Sequence, residues 1–308
     1  MEKVILDVDP GHDDAIAILM AAKAPELELL GITTVAGNQT LEKTTENARK
    51  VVALTGRSIE IARGHARPMM RDPIIAEMIH GETGLDGVDL PESDAAITSF
   101  NAVDWLKKAI DEADGPVTLI PVGPLTNIAV LLLAYPELKS KIKRMVLMGG
   151  AIGRGNRTPS AEFNILVDPE AAKIVFHSGV PITMIGLDVT HQVIATPQIV
   201  ESIRALRNPV SDIVALWLSF FSKSYQSFYH MEGGPLHDPC AVAAVIDPGI
   251  LTTEDLYVDI ETKGEITAGR TVVDLIGVTR NKPNVQVATG IDTERFWELL
   301  FRSLKAYS

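Results

Sequence analysis

The first half of the chain alternates two hydrophobic periods. Short, nearly unbroken apolar runs, "KVILDV" (3–8), "LELLGITTV" (27–35) and "IEIAR" (59–63), read as strands. Between them, "DDAIAILMAAK" (13–23) and "TLEKTTENARKVVALTG" (40–56) carry helical spacing, the second closed by Gly56. A long loop punctuated by glycine runs through "HGETGLDG" (80–87), followed by a helix near 99–113. Three further apolar strands, "PVTLIPV" (116–122), "KRMVLMGG" (143–150) and "PITMIGLDV" (181–189), are separated by helical segments near 124–134 and 169–178. Buried strands alternating with helices predict an α/β fold: an open, mainly parallel, twisted sheet flanked by helices, of Rossmann-like design.

From about residue 196 the pattern changes. Helices are expected over 197–207, 209–230 and 239–246. "EDLYVDIE" and "GRTVVDLI" around Gly264 predict an antiparallel β-hairpin, and "DTERFWELLFRSL" a closing helix. No internal repeat, low-complexity tract or linker rich in Pro, Gly or Ser divides the chain, so a single domain over 1–308 is expected.

Open parallel sheets bind ligands beyond the carboxyl ends of their strands. After the six predicted parallel strands come, in turn, "DPGHDD", "AGNQT" with Asn38, the loop carrying His80, "PVGPLTN", "MGGAIGRGNRTPSAEFN" and "LDVTHQ". Six successive placements of polar residues and glycines on one sheet edge indicate a site. The first is the most unusual, because Asp7, Asp9, Asp13 and Asp14 crowd into eight positions. A helix N-terminus favours one or two acids, by roughly 0.3–1 kcal/mol each, but not four. Asp7 and Asp9 are two apart on a strand and project to the same face, where unpaired carboxylates repel. A cation among them resolves the conflict. Carboxylates without cysteine point to a hard, oxygen-preferring ion, Ca²⁺ or Mg²⁺. The spacing is not that of an EF-hand. A further acid lies far away in "GGPLHDPCAVA", where His237 and Asp238 stand between a glycine turn and an apolar helix.

Composition narrows the partners. The 308 residues carry 28 Lys plus Arg against 40 Asp plus Glu, a formal net charge of −12, which repels nucleic acid and anionic membrane surfaces. Cys240 is the single cysteine, so no intrachain disulfide forms and a reducing compartment is expected. The start of the chain has too short an apolar run for a signal peptide, and "IAVLLLAY" (128–135) is far short of the ~20 residues that span a bilayer. The expectation is a soluble cytoplasmic protein.

"DVDPGHDDAIAIL", "AGNQT", "IHGETG", "PVGPLTNIA", "VLMGGA", "AEFNILVDPEAA", "GLDVT" and "HDPCAVAAVID" stand in the order seen in nucleoside hydrolases. The chain resembles that family over essentially its whole length, and most closely its inosine–uridine-preferring members. The resemblance implies hydrolysis of the N-glycosidic bond of ribonucleosides (inosine, uridine, cytidine) to ribose and free base. It also implies a Ca²⁺ cofactor held by Asp9, Asp14, the backbone carbonyl of Val122, and Asp238. Asp9 would be the general base that activates a water on the ion, through an oxocarbenium-like transition state. Asp13 would take a ribose 2′- or 3′-hydroxyl, and Asn156, Glu162, Phe163 and Asn164 match the sugar-binding positions. Asn38 and Met148 would line the same pocket. On the base side the resemblance suggests His237 as proton donor, with His80 nearby. Tyr225 and Tyr229, spaced i, i+4 on one helix face, would stack on the base or donate a proton. The segment "YHMEGGPLH" (229–237) departs from the family pattern in its Glu-Gly-Gly, which leaves base preference open. A homo-oligomer, tetramer or dimer, is implied on the same ground.

Two other classes compete. A metal-dependent phosphohydrolase also begins with acids after a first strand, but it needs cationic strand-end loops. Arg154 and Arg157 are the exceptions among loops that are chiefly acidic or amide here. A catalytically silent nucleoside- or ribose-binding protein would have little use for the full set of acids.

Overall fold

The computed structural model describes residues 1–307. In chain order its elements are β1 (Glu2–Val8), α1 (His12–Lys23), β2 (Leu27–Thr34), α2 (Leu41–Thr55), β3 (Ile61–Arg63), α3 (Glu77–His80), α4 (Ala102–Glu112) and β4 (Val117–Pro121). Then come α5 (Thr126–Ala134), β5 (Ile142–Met148), α6 (Phe163–Val167), α7 (Pro169–Phe176), β6 (Ile182–Ile185), α8 (Leu187–Thr190), β7 (Ile194–Ala195) and α9 (Pro197–Arg204). The chain ends with α10 (Pro209–Tyr229), β8 (Gly234–Pro235), α11 (Asp238–Ile246), β9 (Leu251–Ile260), β10 (Thr271–Asp274), β11 (Val285–Ile291) and α12 (Thr293–Lys305).

Nine strands form one sheet in the order β10-β9-β11-β6-β5-β4-β1-β2-β3. Pairing is parallel from β11 through to β3 and antiparallel where β9 joins β11 and β10. Successive β1 side chains alternate between two cores. Val4, Leu6 and Val8 enter the larger one, with α1, α11 and α12, and Ile5 enters the other, with α4, α5 and α7. The helix α1 is buried from His12 to Ala22, on all its faces, as expected of a helix apolar all round. From β1 the chain steps outward through β2 to β3, then returns to β1's other side as β4. The switch in strand order therefore lies between β1 and β4, and Asp9 and Val122 follow those two strands.

The predicted fold class, the parallel strands, the closing helix and the hairpin hold, with Thr271 opposite Ile260 in the hairpin. Three features differ from expectation. The run 181–189 is a strand only to Ile185. At Gly186 a Cβ would come within 2.8 Å of the Gly150 carbonyl oxygen, and the chain turns into α8. The hairpin is not a separate appendage, because β11, which alternation in "VQVATGI" could have disclosed, lies between β6 and β9 and joins it to the main sheet. The segment before Asp168, expected to be loop, contains α6, with Glu162 as its N-cap.

Packing around Phe176, 1% exposed between α7 and the strands, gives a direct test of this core. Phe176→Ala should lower unfolding stability by about 3–5 kcal/mol in urea titration; a loss under about 1 kcal/mol would contradict the packing.

Candidate active site

Asp14 is the most constrained of the acids. Its Oδ1 accepts the Asp9 backbone N–H at 3.0 Å, and its Oδ2 accepts the Gly11 N–H and the Asn38 Nδ2 amide, each at 3.0 Å. Asn38 also donates its backbone N–H to Asp9 Oδ2 at 2.6 Å, tying β2's loop to β1's. Carboxylate oxygens of Asp13, Asp14 and Asp238 lie within 4.8 Å of one another, and all three residues are buried. Asp9 adjoins this group through its link to Asp14, with its Oδ1 buried and without a hydrogen-bond partner. Asp7 stands apart, its Oδ1 held by Thr33 Oγ1 at 2.5 Å and Asn127 Nδ2 at 2.7 Å. Glycines make room for the acids. A Cβ at Gly37 would lie 2.2 Å from Asp9 Oδ2, and one at Gly123 2.4 Å from Asp9 Oδ1.

Burial pushes Asp9 and Asp238 well above the usual carboxylate range, and their acidic neighbours push in the same direction. Burial raises Asp14 also, and lifts Asp7 and Asp13 to about 7. Gathered buried carboxylates with an unpartnered oxygen are a poor arrangement for the protein alone and a good one for a divalent cation. The donors are all oxygen, which suits a hard ion. The residues present therefore fit a metal.

Asp13 and Asp238 stand in the wall of a pocket of about 560 Å³, counting solvent at its mouth. Every other residue expected from the sequence faces it or supports it. Asn38, His80, Val122, Met148, Asn156, Glu162, Phe163, Asn164, Tyr225, Tyr229, His237, Asp13 and Asp238 line it. Asn164 donates through Nδ2 to the carbonyls of Val122 (2.7 Å) and Met148 (3.2 Å), which fixes the ends of β4 and β5 together. Glu162 caps α6, accepting from the backbone N–H groups of Gly150, Asn164 and Ile165, and burial lifts it to about 7. Asn156 Oδ1 accepts the Phe163 N–H at 3.0 Å, and its carbonyl accepts from Tyr229 Oη at 3.2 Å.

The histidines and tyrosines that line the pocket beside these acids are neutral. Burial holds His237 and His80 well below the ordinary histidine range, and Tyr225 well above the ordinary tyrosine range. His237 Nε2 is 2.8 Å from Tyr225 Oη, and its Nδ1 is 2.7 Å from Thr190 Oγ1. His80 stacks on Phe221, and its Nδ1 lies 3.1 Å from Nδ1 of His12, a residue held down to about 4 by burial. Sequence reading assigned no part to Thr190, Phe221 or Ile79, and weighed Arg157 only as a cation that a phosphohydrolase could use. Thr190 carried a signal, as the last residue of "GLDVT" at a strand end; Ile79 and Phe221 are placed by tertiary packing of α3 and α10.

The model of the inosine-uridine preferring nucleoside hydrolase family matches residues 4–298. The chain belongs to that family. Among curated relatives, the pyrimidine-specific ribonucleoside hydrolase RihA of Shewanella sp. (strain ANA-3) is 50% identical over 312 residues, covering 99% of this chain and 96% of its own. RihA of Escherichia coli O7:K1 (strain IAI39 / ExPEC) is 50% identical over 307 residues, covering 99% of both chains. Among solved structures, a purine-preferring ribonucleoside hydrolase from Gardnerella vaginalis superposes with a TM-score of 0.93 at 35% identity, covering 99% of each chain. The plant nucleoside hydrolase PpNRh1 gives 0.92 at 32%, again over 99% of each. The chain is thus a ribonucleoside hydrolase, and its acidic cluster meets the metal dependence general to these enzymes.

Two measurements test the site. A carboxyl with a raised folded pKa binds more protons folded than unfolded, so Asp7, Asp13 and Glu162 make the chelated hydrolase less stable as pH rises from about 4 to about 7. A divalent cation offsets the repulsion that remains once they ionise, so the rise in Tm on adding Ca²⁺ should be larger at pH 7.5 than at pH 4.5 (about three units apart); an equal or smaller rise would contradict the buried cluster. Gly123→Ala should displace the Asp9 carboxylate and lower nucleoside turnover about 10²-fold; unchanged turnover would mean that the Asp9 position is not critical.

Proposed function

We propose that this hydrolase cleaves pyrimidine ribonucleosides, uridine and cytidine, with inosine a poorer substrate, to ribose and the free base. The observation that carries the reading is one pocket lined both by members of a buried acid cluster and by neutral histidine and tyrosine groups. The pyrimidine preference rests on the relatives: those at 50% identity are named pyrimidine-specific, whereas the purine-preferring structure is 35% identical.

Asp9, Asp14, the Val122 carbonyl and Asp238 are the proposed ligands of Ca²⁺. When bound, the ion would hold and acidify the hydrolytic water and draw ribose hydroxyls toward the acids. Asp9 takes the proton of the attacking water; its unpartnered Oδ1 is free to do so. Asp13 accepts hydrogen bonds from the ribose 2′- and 3′-hydroxyls. Asn156 and Glu162 receive the 5′-hydroxyl, Asn164 holds the sugar's underside, and Asn38, Met148 and Phe163 close round it. Such a site leaves its own polar groups unpaired when a hydroxyl is missing, so deoxyribonucleosides bind poorly. The acids also stabilise the positive charge that develops on the ribose. His80, Tyr225, Tyr229 and His237 handle the departing base. Among the described residues, no helix is long and apolar enough to cross a membrane. The single cysteine supports a cytoplasmic location, and the family resemblance supports a homo-oligomer.

The test is release of reducing sugar from uridine, cytidine, inosine and thymidine in phosphate-free buffer, with and without chelator. Uridine and cytidine should be cleaved fastest, thymidine at least about 10²-fold slower, and chelation should stop turnover. Asp9→Asn should lower the rate by about 10²–10⁴-fold. Binding of uridine without turnover would favour the silent binding protein, and faster cleavage of inosine would overturn the pyrimidine preference.

A further inference from the structure

The hydroxyl of Thr190 ends α8 behind the pocket wall and does not line the pocket. Thr190 is fully buried, 0% exposed. Its Oγ1 has one hydrogen-bond partner among the described residues, His237 Nδ1 at 2.7 Å. A threonine in a helix can otherwise donate back to the carbonyl one turn earlier. Here that carbonyl, of Gly186, already accepts the N–H groups of Val189 and Thr190, and Oγ1 makes no bond to it. A buried hydroxyl hydrogen with no acceptor is costly, so the hydrogen must point at His237 Nδ1. That nitrogen is then the bare one of a neutral imidazole, and the ring proton sits on Nε2. Nε2 faces Tyr225 Oη at 2.8 Å, so the ring donates and the phenol oxygen accepts. Tyr225 has no other hydrogen-bond partner among the described residues, and it lines the pocket. Its own hydrogen is therefore left for whatever occupies the pocket.

We propose that Thr190 is a positioning residue which, through the His237 ring, sets the direction of the chain Thr190 → His237 → Tyr225 so that the phenol of Tyr225 is a hydrogen donor to the departing base. The opposite direction would turn that hydrogen onto His237 and present the base with a phenol oxygen that only accepts. The inference rests on the proposed reaction and assigns its donor. As the C1′–N bond breaks, its electron pair stays on the base, and the Tyr225 hydrogen passes to the base. The water's hydroxyl bonds to C1′ and its proton goes to Asp9. That proton returns through solvent to the phenol oxygen, which the Nε2–H of His237 holds meanwhile. Water is the only co-reactant.

Thr190→Val removes the hydroxyl at nearly constant shape, and Thr190→Ser restores it. The probes are uridine, whose base leaves poorly without a donor, and 4-nitrophenyl riboside, whose leaving group departs as a stable anion. For Thr190→Val, the ratio of kcat on uridine to kcat on the nitrophenyl riboside should fall about tenfold or more, with KM for uridine little changed. Thr190→Ser should recover the ratio. Independently of any substrate, ¹⁵N spectra of the histidine-labelled wild-type protein should show His237 protonated at Nε2 and bare at Nδ1. An Nδ1-protonated ring overturns the proposal, as does an equal loss on both substrates or an unchanged ratio. If the wild-type protein cleaves another nucleoside but not uridine, the pyrimidine reading fails; the ratio is then measured on that nucleoside, and the spectrum still decides the tautomer.

Discussion

Carboxylates concentrated in a space without bulk water are the constraint to which the rest of this structure answers. Asp9, Asp13, Asp14 and Asp238 are each less than 5% exposed, so their mutual repulsion is screened only by what the protein places around them. The chain offers partial relief. Asn38 binds two of the acids, and backbone N–H groups reach Asp9 and Asp14. Asp13 and Asp14 lie in the first turn of α1, and Asp238 in the first turn of α11, so the positive ends of two helices point at one cluster. Helix ends contribute only fractions of a charge against several full carboxylate charges, and a bound cation would make up the difference.

That requirement explains an odd feature of the core. The helices α1 and α11 come from opposite ends of the chain yet pack side by side, and both are buried almost throughout. Their small residues, Ala15, Ala17, Ala21 and Ala22 on one and Ala241, Ala243 and Ala244 on the other, are all in the same core. Small side chains allow close approach of two helix axes, and close approach brings the two N-termini together. The packing that stabilises the larger core is thus also what sets Asp238 beside Asp13 and Asp14. The loop glycines Gly37 and Gly123 serve the same end from the sheet side, leaving space that a methyl group would take from Asp9.

How much of this could be read from the sequence follows from the range of the forces involved. Strands such as β1 and β4 are continuous apolar runs, and α2 ends at a glycine in the left-handed region (φ 66°), so local pattern suffices for them. The acids were legible because four in eight positions exceeds what a helix terminus favours. Short elements were harder: β11 shows only a brief alternation, and α6 has a single turn whose start depends on a glutamate cap in place of the usual Ser, Thr, Asp or Asn. His12 and Thr190 were out of reach for a different reason. Their roles come from partners 68 and 47 residues away, and a place in a strand-end motif does not disclose those partners. Asp7 shows the limit of parity arguments: it shares a strand face with Asp9 by count, but Thr33 and Asn127 draw its carboxylate away from the cluster.

The pocket brings together two kinds of polar group, and the proposed reaction needs both. In the proposed reaction the acids face a ribose that turns cationic as the C1′–N bond stretches. His80, His237, Tyr225 and Tyr229, assigned there to the base, are uncharged, and burial favours that state. A neutral donor there would stabilise the negative charge that gathers on the base as it leaves in the proposed reaction. Burial does both jobs by one physical effect: it raises the carboxyls until a metal ionises them, and it strips the histidines of their charge. Both kinds of group are therefore in place before substrate arrives, and the proposed reaction would draw on the acids for its developing positive charge and on the neutral donors for its developing negative charge.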